Sequence, residues 1–147
     1  MKILIVDDTL MFRETLKSML RPHGECTLAE DGETAVEIFR AALLAGEPFH
    51  LVLLDIIMPG MDGKETLAAL RQAEREVYGA KRTRGQNACI LMQTSMHGSE
   101  HMLAAFTSGC NGYVTKPVDE KKLLQKLIKL NLIPGNPDPP EAEPVTP

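Results

Sequence analysis

The stretch L-V-L-L-D-I-I-M-P-G-M-D-G, residues 51–63, decides the fold of this chain. Its first four residues are continuously apolar, which predicts a short strand covered on both faces, as in a parallel sheet. Asp55 directly follows that strand, and Met58-Pro59-Gly60 predicts a tight turn. Asp62 is well placed to cap the helix that comes next. The stretch therefore encodes a strand, a fixed turn and a helix start, with one carboxylate at the end of the strand.

The same alternation of strand and helix runs through residues 1–131. Four further strands are predicted, at Ile3–Val6, Cys26–Ala29, Ala88–Met92 and Gly112–Thr115. The segments between them carry apolar residues at helical spacing, and Asp119 is a good N-cap for the last helix. Five strand–helix units in sequence predict a doubly wound (βα)5 α/β fold. We expect a three-layer sandwich around a parallel sheet in the flavodoxin-like strand order 2-1-3-4-5.

The composition limits the classes of protein that need to be considered. The chain has 147 residues, of which 44% are hydrophobic and 24% charged, with a net charge of −4. The negative net charge argues against direct nucleic-acid binding, because neutralising phosphates requires clustered basic residues. No apolar run is long enough for membrane insertion or for a signal peptide, so we expect a cytoplasmic protein. The three cysteines lack the close spacing of a disulfide scaffold or a zinc site.

The C-terminal residues differ in composition from the rest. Residues 134–147 contain six prolines and three acids but no base, so they carry −3 of the net charge. Such a segment has little to bury against the entropy of ordering it. We therefore divide the chain into a domain, residues 1–131, and a proline-rich acidic tail or linker, residues 132–147, that we expect to be disordered. The composition fits a true C-terminus and a linker to a further output domain equally well.

Polar residues follow four of the predicted strands: Asp7 and Asp8, Asp55, Thr94, and Lys116. Singly, each has an ordinary interpretation as a helix cap or a solvated turn residue. In the predicted order strands 1 and 3 are neighbours, which brings three carboxylates together, and such a cluster either takes up a proton or binds a cation. Oxygen ligands favour Mg²⁺, with Mn²⁺ as an expected substitute. A metal, a carboxylate nucleophile, a lysine and a hydroxyl together describe phosphoryl transfer to an aspartate.

The sequence resembles a bacterial response-regulator receiver domain, of the stand-alone chemotaxis type, over residues 1–131. The matching stretches are I-L-I-V-D-D (3–8), the stretch at 51–63, I-L-M-Q-T-S (90–95) and G-C-N-G-Y-V-T-K-P-V-D (109–119). By this resemblance Asp55 is the phosphoacceptor. The metal ligands are Asp7, Asp8, Asp55 and the backbone carbonyl of Ile57.

The resemblance also implies a switch around the acceptor. Thr94 and Lys116 contact the phosphoryl group, and Tyr113 changes rotamer with the state of the site. The Lys116–Pro117 bond is expected to be cis, although only about 5% of X–Pro bonds are. The implied output face is formed by the fourth predicted helix, the fifth strand and the fifth helix, and it is also the implied surface for a homodimer.

The implied function is phosphorylation-controlled two-component signalling. A sensor histidine kinase or a histidine phosphotransfer protein donates the phosphoryl group, and a downstream protein reads the result. The chain is then no enzyme beyond accepting the group from phosphodonors and losing it slowly. A haloacid-dehalogenase-type phosphatase fits poorly, because it requires D-x-D after the first strand and residues 7–9 read D-D-T. The remaining alternative is a phosphorylation-independent binding module on the same fold.

Two features depart from the usual receiver pattern. Receivers that lose the phosphoryl group quickly often carry polar side chains two residues after the acceptor and two after the threonine. Here those positions are Ile57 and Met96, so we predict slow self-dephosphorylation. The second departure is the long, basic segment 71–87, with two interpretations: an extended third helix followed by a solvated loop, or a docking segment for an acidic partner.

Overall fold

The computed structural model describes residues 1–79, 87–95 and 109–135. Five parallel strands form one sheet in the order β2-β1-β3-β4-β5, which confirms the predicted fold and strand order. The strands are β1 (Lys2–Val6), β2 (Glu25–Ala29), β3 (Leu51–Asp55), β4 (Cys89–Thr94) and β5 (Gly112–Thr115). The described helices are α1 (Leu10–Leu20), α2 (Gly32–Leu44), α3 (Gly63–Tyr78) and the C-terminal helix α4 (Glu120–Lys129). The helix expected between β4 and β5 falls outside the described residues.

Alternation along the strands divides the core between the two faces of the sheet. In β3, for example, Val52 and Leu54 join a cluster with residues of α2 and α3, such as Phe39 and Leu67. Leu51 and Leu53 join a second cluster with residues of α1 and α4. All five residues of β3 are buried. A central strand covered on both faces explains why its sequence is continuously apolar until Asp55.

The predicted helix caps are present. Asp62 accepts a hydrogen bond from the backbone N–H of Glu65, and the Glu65 side chain accepts one from the backbone N–H of Asp62. Asp119 accepts from the backbone N–H of Lys122 at the start of α4. The Asp62 box fixes the start of α3, which begins only eight residues after Asp55. The connection that follows Asp55 is therefore short and held at both ends.

Packing continues slightly beyond the boundary predicted from composition. Ile133 is only 9% exposed and belongs to the second cluster, against which Leu132 also packs. Both residues lie in the segment that we assigned to the tail. The division at residue 131 stays a prediction, and the structure adds these two residues to the packed part. Residues 136–147, which hold most of the tail, lie outside the described residues.

The basic segment is not uniformly solvated. Arg71 to Tyr78 form the end of α3, and Arg71 donates to Glu74 at 2.9 Å, to the carbonyl of Ala88 at 2.8 Å and to the side chain of Asn111 at 2.9 Å. Glu74 is 1% exposed and also accepts from the backbone N–H of Ala88. These two residues tie α3 to the start of β4. The guanidinium of Arg71 is therefore engaged within the domain. The bases Lys81, Arg82 and Arg84 lie outside the described residues, and both interpretations of the segment stay predictions.

Within the described residues, no helix is long and apolar enough to cross a membrane.

Candidate functional site

Three carboxylates meet at the carboxyl end of the sheet, as the strand order predicts. Asp7 follows β1 and is fully buried, Asp55 is the last residue of β3 and is 5% exposed, and Asp8 is exposed. One oxygen from each lies within 4.8 Å of the others. Asp7 Oδ1 accepts from the backbone N–H of Thr9, whereas the buried Asp7 Oδ2 accepts no hydrogen bond from the part of the chain that the structure describes. A buried carboxylate oxygen beside two further carboxylates fits the ligand set of a hard divalent cation such as Mg²⁺.

Lys116 compensates part of this negative charge. Its ammonium nitrogen lies 2.9 Å from Asp7 Oδ2 and 3.1 Å from Asp55 Oδ2, and its side chain is 12% exposed. The contact with Asp7 is an ion pair that lacks hydrogen-bond geometry. The backbone N–H of Lys116 donates to the carbonyl of Thr94 at 2.8 Å, which anchors the residue at the end of β4. The Lys116–Pro117 bond is cis, as the resemblance implies.

The loop after Asp55 holds its backbone close to the start of α3. The backbone N–H of Ile57 donates to Asp55 Oδ1 at 3.3 Å, and the N–H of Gly63 donates to the carbonyl of Ile56 at 2.8 Å. A Cβ atom at Gly63 would lie 2.2 Å from the carbonyl oxygen of Asp55. Gly60 has a φ of +75°, which glycine adopts without strain. The glycines at the end of the 51–63 stretch thus permit the tight connection that presents Asp55.

The net effect of burial and neighbouring charges is to raise the pKa values of both Asp55 and Lys116. Desolvation, followed by repulsion from Asp7, raises the pKa of Asp55 to about 6, although Lys116 and the N–H of Ile57 oppose the shift. Burial lowers the pKa of Lys116, but the contacts with Asp7 and Asp55 outweigh it and the net shift is upward. Lys116 is therefore charged at neutral pH. Asp55 is ionised there too, although burial and Asp7 both disfavour its charged form.

The other predicted residues surround this centre. Thr94 is the last residue of β4 and is 2% exposed. Tyr113, in β5, is half-buried and packs against the cluster that faces α2 and α3. Ile57 lies beside Asp55, to which its backbone N–H donates, and the residue is 62% exposed. The structure thus places oxygens of Asp7, Asp8 and Asp55 within 4.8 Å of one another and Lys116 in contact with Asp7 and Asp55. Thr94 lies at the adjoining strand end.

Three residues near the site were not singled out by the sequence. The Lys116 ammonium lies 4.3 Å from the centroid of the Phe12 ring, a cation–π contact. The guanidinium of Arg13 donates to the carbonyl of Asp7 at 2.6 Å. Gln93, next to Thr94, is fully buried. Helical spacing predicts the apolar stripe of α1 that includes Phe12, but it contains no signal that this ring contacts the lysine that follows β5.

Comparison with known proteins decides the family. The sequence profile of the response regulator receiver domain matches residues 3–128 of the 147 residues. The chain belongs to this family. Receivers act in two-component and phosphorelay signalling and are not dedicated enzymes, so this receiver is a signalling domain. The family assignment confirms the resemblance carried by the four sequence stretches.

Individual relatives agree with the family assignment. The receiver is 34% identical over 132 residues to the chemotaxis protein CheY of Pseudomonas aeruginosa, covering 88% of this chain and 95% of that protein. It is 33% identical over 129 residues to the sensor histidine kinase GacS of Pseudomonas protegens, covering 87% of this chain but only 13% of the kinase. Among solved structures, it is similar to the receiver domain of Ssk1 in complex with the histidine phosphotransfer protein Ypd1 of Saccharomyces cerevisiae. That similarity has a TM-score of 0.72 and 30% identity, and covers 88% of this chain and 87% of the other.

Proposed function

We propose that Asp55 is the phosphoacceptor and that a phosphohistidine on a sensor kinase or a phosphotransfer protein is the donor. A carboxylate oxygen of Asp55 attacks phosphorus, so that a P–O bond forms while the P–N bond to the donor's imidazole breaks. The imidazole keeps the electron pair of that bond. The observation that carries the proposal is the position of Asp55 at the end of the central strand, 3.1 Å from Lys116 and beside Asp7. In this reaction the residues mainly position groups and neutralise charge.

The carboxylates of Asp7, Asp8 and Asp55, with the backbone carbonyl of Ile57, are the proposed ligands of Mg²⁺, with Mn²⁺ as a substitute. Asp7 Oδ2 supports this assignment, because it is buried and, among the described residues, has the ion pair with Lys116 but no hydrogen bond. A bound divalent cation supplies positive charge next to the entering phosphoryl oxygens. Lys116 also lies beside this ligand set, with its ammonium 2.9 Å from Asp7 Oδ2. If Asp7 were to bind a divalent cation, its ion pair with Lys116 would weaken, and the ammonium would be available to a phosphoryl group on Asp55.

Thr94, Tyr113 and Lys116 are the proposed switch residues. The acyl phosphate adds about −1.5 to −2 charge and new acceptor oxygens beside Asp55. The hydroxyl of Thr94 and the ammonium of Lys116 are the donors that meet them. Tyr113 lies on β5 opposite Met92 of the same core cluster, so a shift at the end of β4 reaches it through directly paired strands. We propose that the change is read by a downstream protein, or by a second copy of the chain, on the face that contains β5 and α4.

Slow self-dephosphorylation is the third part of the proposal. Ile57 is hydrophobic and its backbone N–H donates to Asp55 Oδ1, although the residue is 62% exposed in the structure. Met96 lies outside the described residues. An apolar residue at each of these positions offers no hydrogen bond to orient an attacking water.

Beryllofluoride binding separates a phosphorylation-controlled receiver from a binding module that works without phosphorylation. We expect calorimetry to detect binding of beryllofluoride to the wild type in Mg²⁺ and none in chelator. Asp55→Asn abolishes that binding with the fold intact, whereas Glu14→Gln, which neutralises an exposed acid of α1, leaves it unchanged. A wild type that binds a partner equally well with and without beryllofluoride and Mg²⁺ would support the phosphorylation-independent alternative.

A further inference from the structure

Gln93 is a buried amide with unsatisfied hydrogen-bonding groups. Its side chain is fully buried, and neither its oxygen nor its nitrogen has a hydrogen-bond partner within residues 1–79, 87–95 and 109–135. Leaving a buried donor and acceptor unpaired destabilises a fold, and natural cores rarely keep such a group without a role. Apolar residues fill the preceding positions of β4 from Ile90 to Met92. Gln93 therefore needs an explanation that packing alone does not supply.

The strand register places Gln93 beside the phosphoacceptor. Gln93 of β4 pairs with Asp55 of β3, and residues paired in this way point to the same face of a parallel sheet. The alternation agrees, because Leu53 and Leu91, each two residues earlier, both belong to the cluster that faces α1 and α4. The carbonyl of Gln93 also accepts from the backbone N–H of Ile56 at 3.1 Å. Asp55 and Gln93 are thus adjacent at the same end of the sheet.

Lys116 passes over the same position. It follows β5, yet its ammonium contacts Asp55 of β3 and Asp7 after β1, and β4 lies between β3 and β5. The lysine side chain must therefore cross the end of β4, where Gln93 lies on the face toward which Asp55 points. An ammonium group has three N–H donors. The two contacts to Asp7 and Asp55 leave it with a donor to spare.

We propose that Gln93 is a positioning residue for Lys116 in the phosphorylated state. The inference rests on the proposed function, in which Lys116 leaves Asp7 and turns to a phosphoryl group on Asp55. The side-chain carbonyl of Gln93 then accepts an N–H of the displaced ammonium and holds it over the acceptor. Because the amide has no hydrogen-bond partner among the described residues in the resting state and gains one in the loaded state, Gln93 shifts the equilibrium toward the loaded state.

The test compares Gln93→Met with the wild type in two measurements. Methionine is unbranched and of similar length, so it fills the site without an unpaired amide. For Gln93→Met we expect the urea midpoint of the resting protein to rise and the Mg²⁺ affinity without beryllofluoride to stay unchanged. The beryllofluoride affinity in saturating Mg²⁺ should fall about tenfold, which is a typical loss for one hydrogen bond to a charged group. Leu91→Met, on the same strand and face, controls for repacking of the core and is expected to leave both affinities unchanged.

Any other result refutes either the role of Gln93 or the proposed function on which that role rests. If the wild type itself fails to bind beryllofluoride, the proposed function fails. If the wild type binds and Gln93→Met binds equally well, only the role of Gln93 is refuted. If Gln93→Met lowers the urea midpoint of the resting protein as well as the beryllofluoride affinity, Gln93 has a purely structural role. That result would also refute the positioning role. Gln93→Leu repeats the test if the methionine variant does not fold.

Discussion

Replacing Asp55 with asparagine should stabilise the resting protein at neutral pH. In the fold, burial and Asp7 raise the pKa of Asp55 from 3.8 to about 6. Between these two values the folded state binds more protons than the unfolded state, so stability falls as the pH rises through this window. One pKa unit corresponds to about 1.4 kcal/mol, so the ionised carboxylate costs about 3 kcal/mol above pH 6. Asparagine has nearly the same shape and removes this cost, while Lys116 keeps its contact with Asp7.

The measurement is urea unfolding of the wild type and Asp55→Asn in chelator, at several pH values. We expect the variant to gain about 3 kcal/mol in unfolding free energy near pH 7.5 and almost nothing near pH 4, where the folded wild type carries a protonated Asp55. Glu14→Gln makes the same change of charge at an exposed position and should move the unfolding free energy by less than about 0.5 kcal/mol. A gain that is independent of pH, or a variant less stable than the wild type at neutral pH, would refute the electrostatic reasoning.

Three further results are expected. Arg71→Met leaves Glu74 buried without its cation and should lower the unfolding free energy by about 3–5 kcal/mol, and Arg71→Met combined with Glu74→Met should recover part of that loss in the same urea experiment. Phe12→Leu removes the ring beside Lys116, and a double-mutant cycle with Lys116→Met should give a coupling of about 1 kcal/mol, whereas no coupling would contradict a cation–π contact. The phosphorylated protein should persist for minutes in excess Mg²⁺ when its decay is followed by intact mass, and Ile57→Asn should shorten its lifetime; loss within seconds from the wild type would contradict slow self-dephosphorylation.

The sequence predicted the sheet and the acidic centre because both follow from short-range patterns. Each central strand is a short apolar run that ends in a polar residue, and parallel strands bring such ends to one edge. Asp7 and Asp55 meet for this reason alone, since β1 and β3 are neighbours. Asp62 and Asp119 were predicted as helix caps from their position just before a helical stripe, and both form the expected hydrogen bonds.

The contacts that tune the site could not be predicted in this way. Phe12 contacts Lys116, a residue far away in the sequence. Arg71 donates hydrogen bonds to Ala88 and Asn111, and no local sequence pattern predicts these contacts. In α3 the charged sequence around Arg71 and Glu74 suggests a solvated helix face, yet Glu74 is buried because the start of β4 requires an acceptor for the N–H of Ala88. Gln93 shows the same limit: a polar residue that follows a strand indicates a site, but Gln93 lies one residue before the end of β4, within the strand, where it is buried.

The central claim, that Asp55 accepts the phosphoryl group, is tested most directly by mapping the modified residue. The receiver is phosphorylated with acetyl phosphate and Mg²⁺, and its peptides are analysed by mass spectrometry with and without hydroxylamine, which cleaves acyl phosphates. We predict one phosphoryl group per chain, located on Asp55 and removed by hydroxylamine, and none on Asp55→Asn. A phosphoryl group on any other residue of the wild type, or undiminished labelling of Asp55→Asn, would contradict the claim.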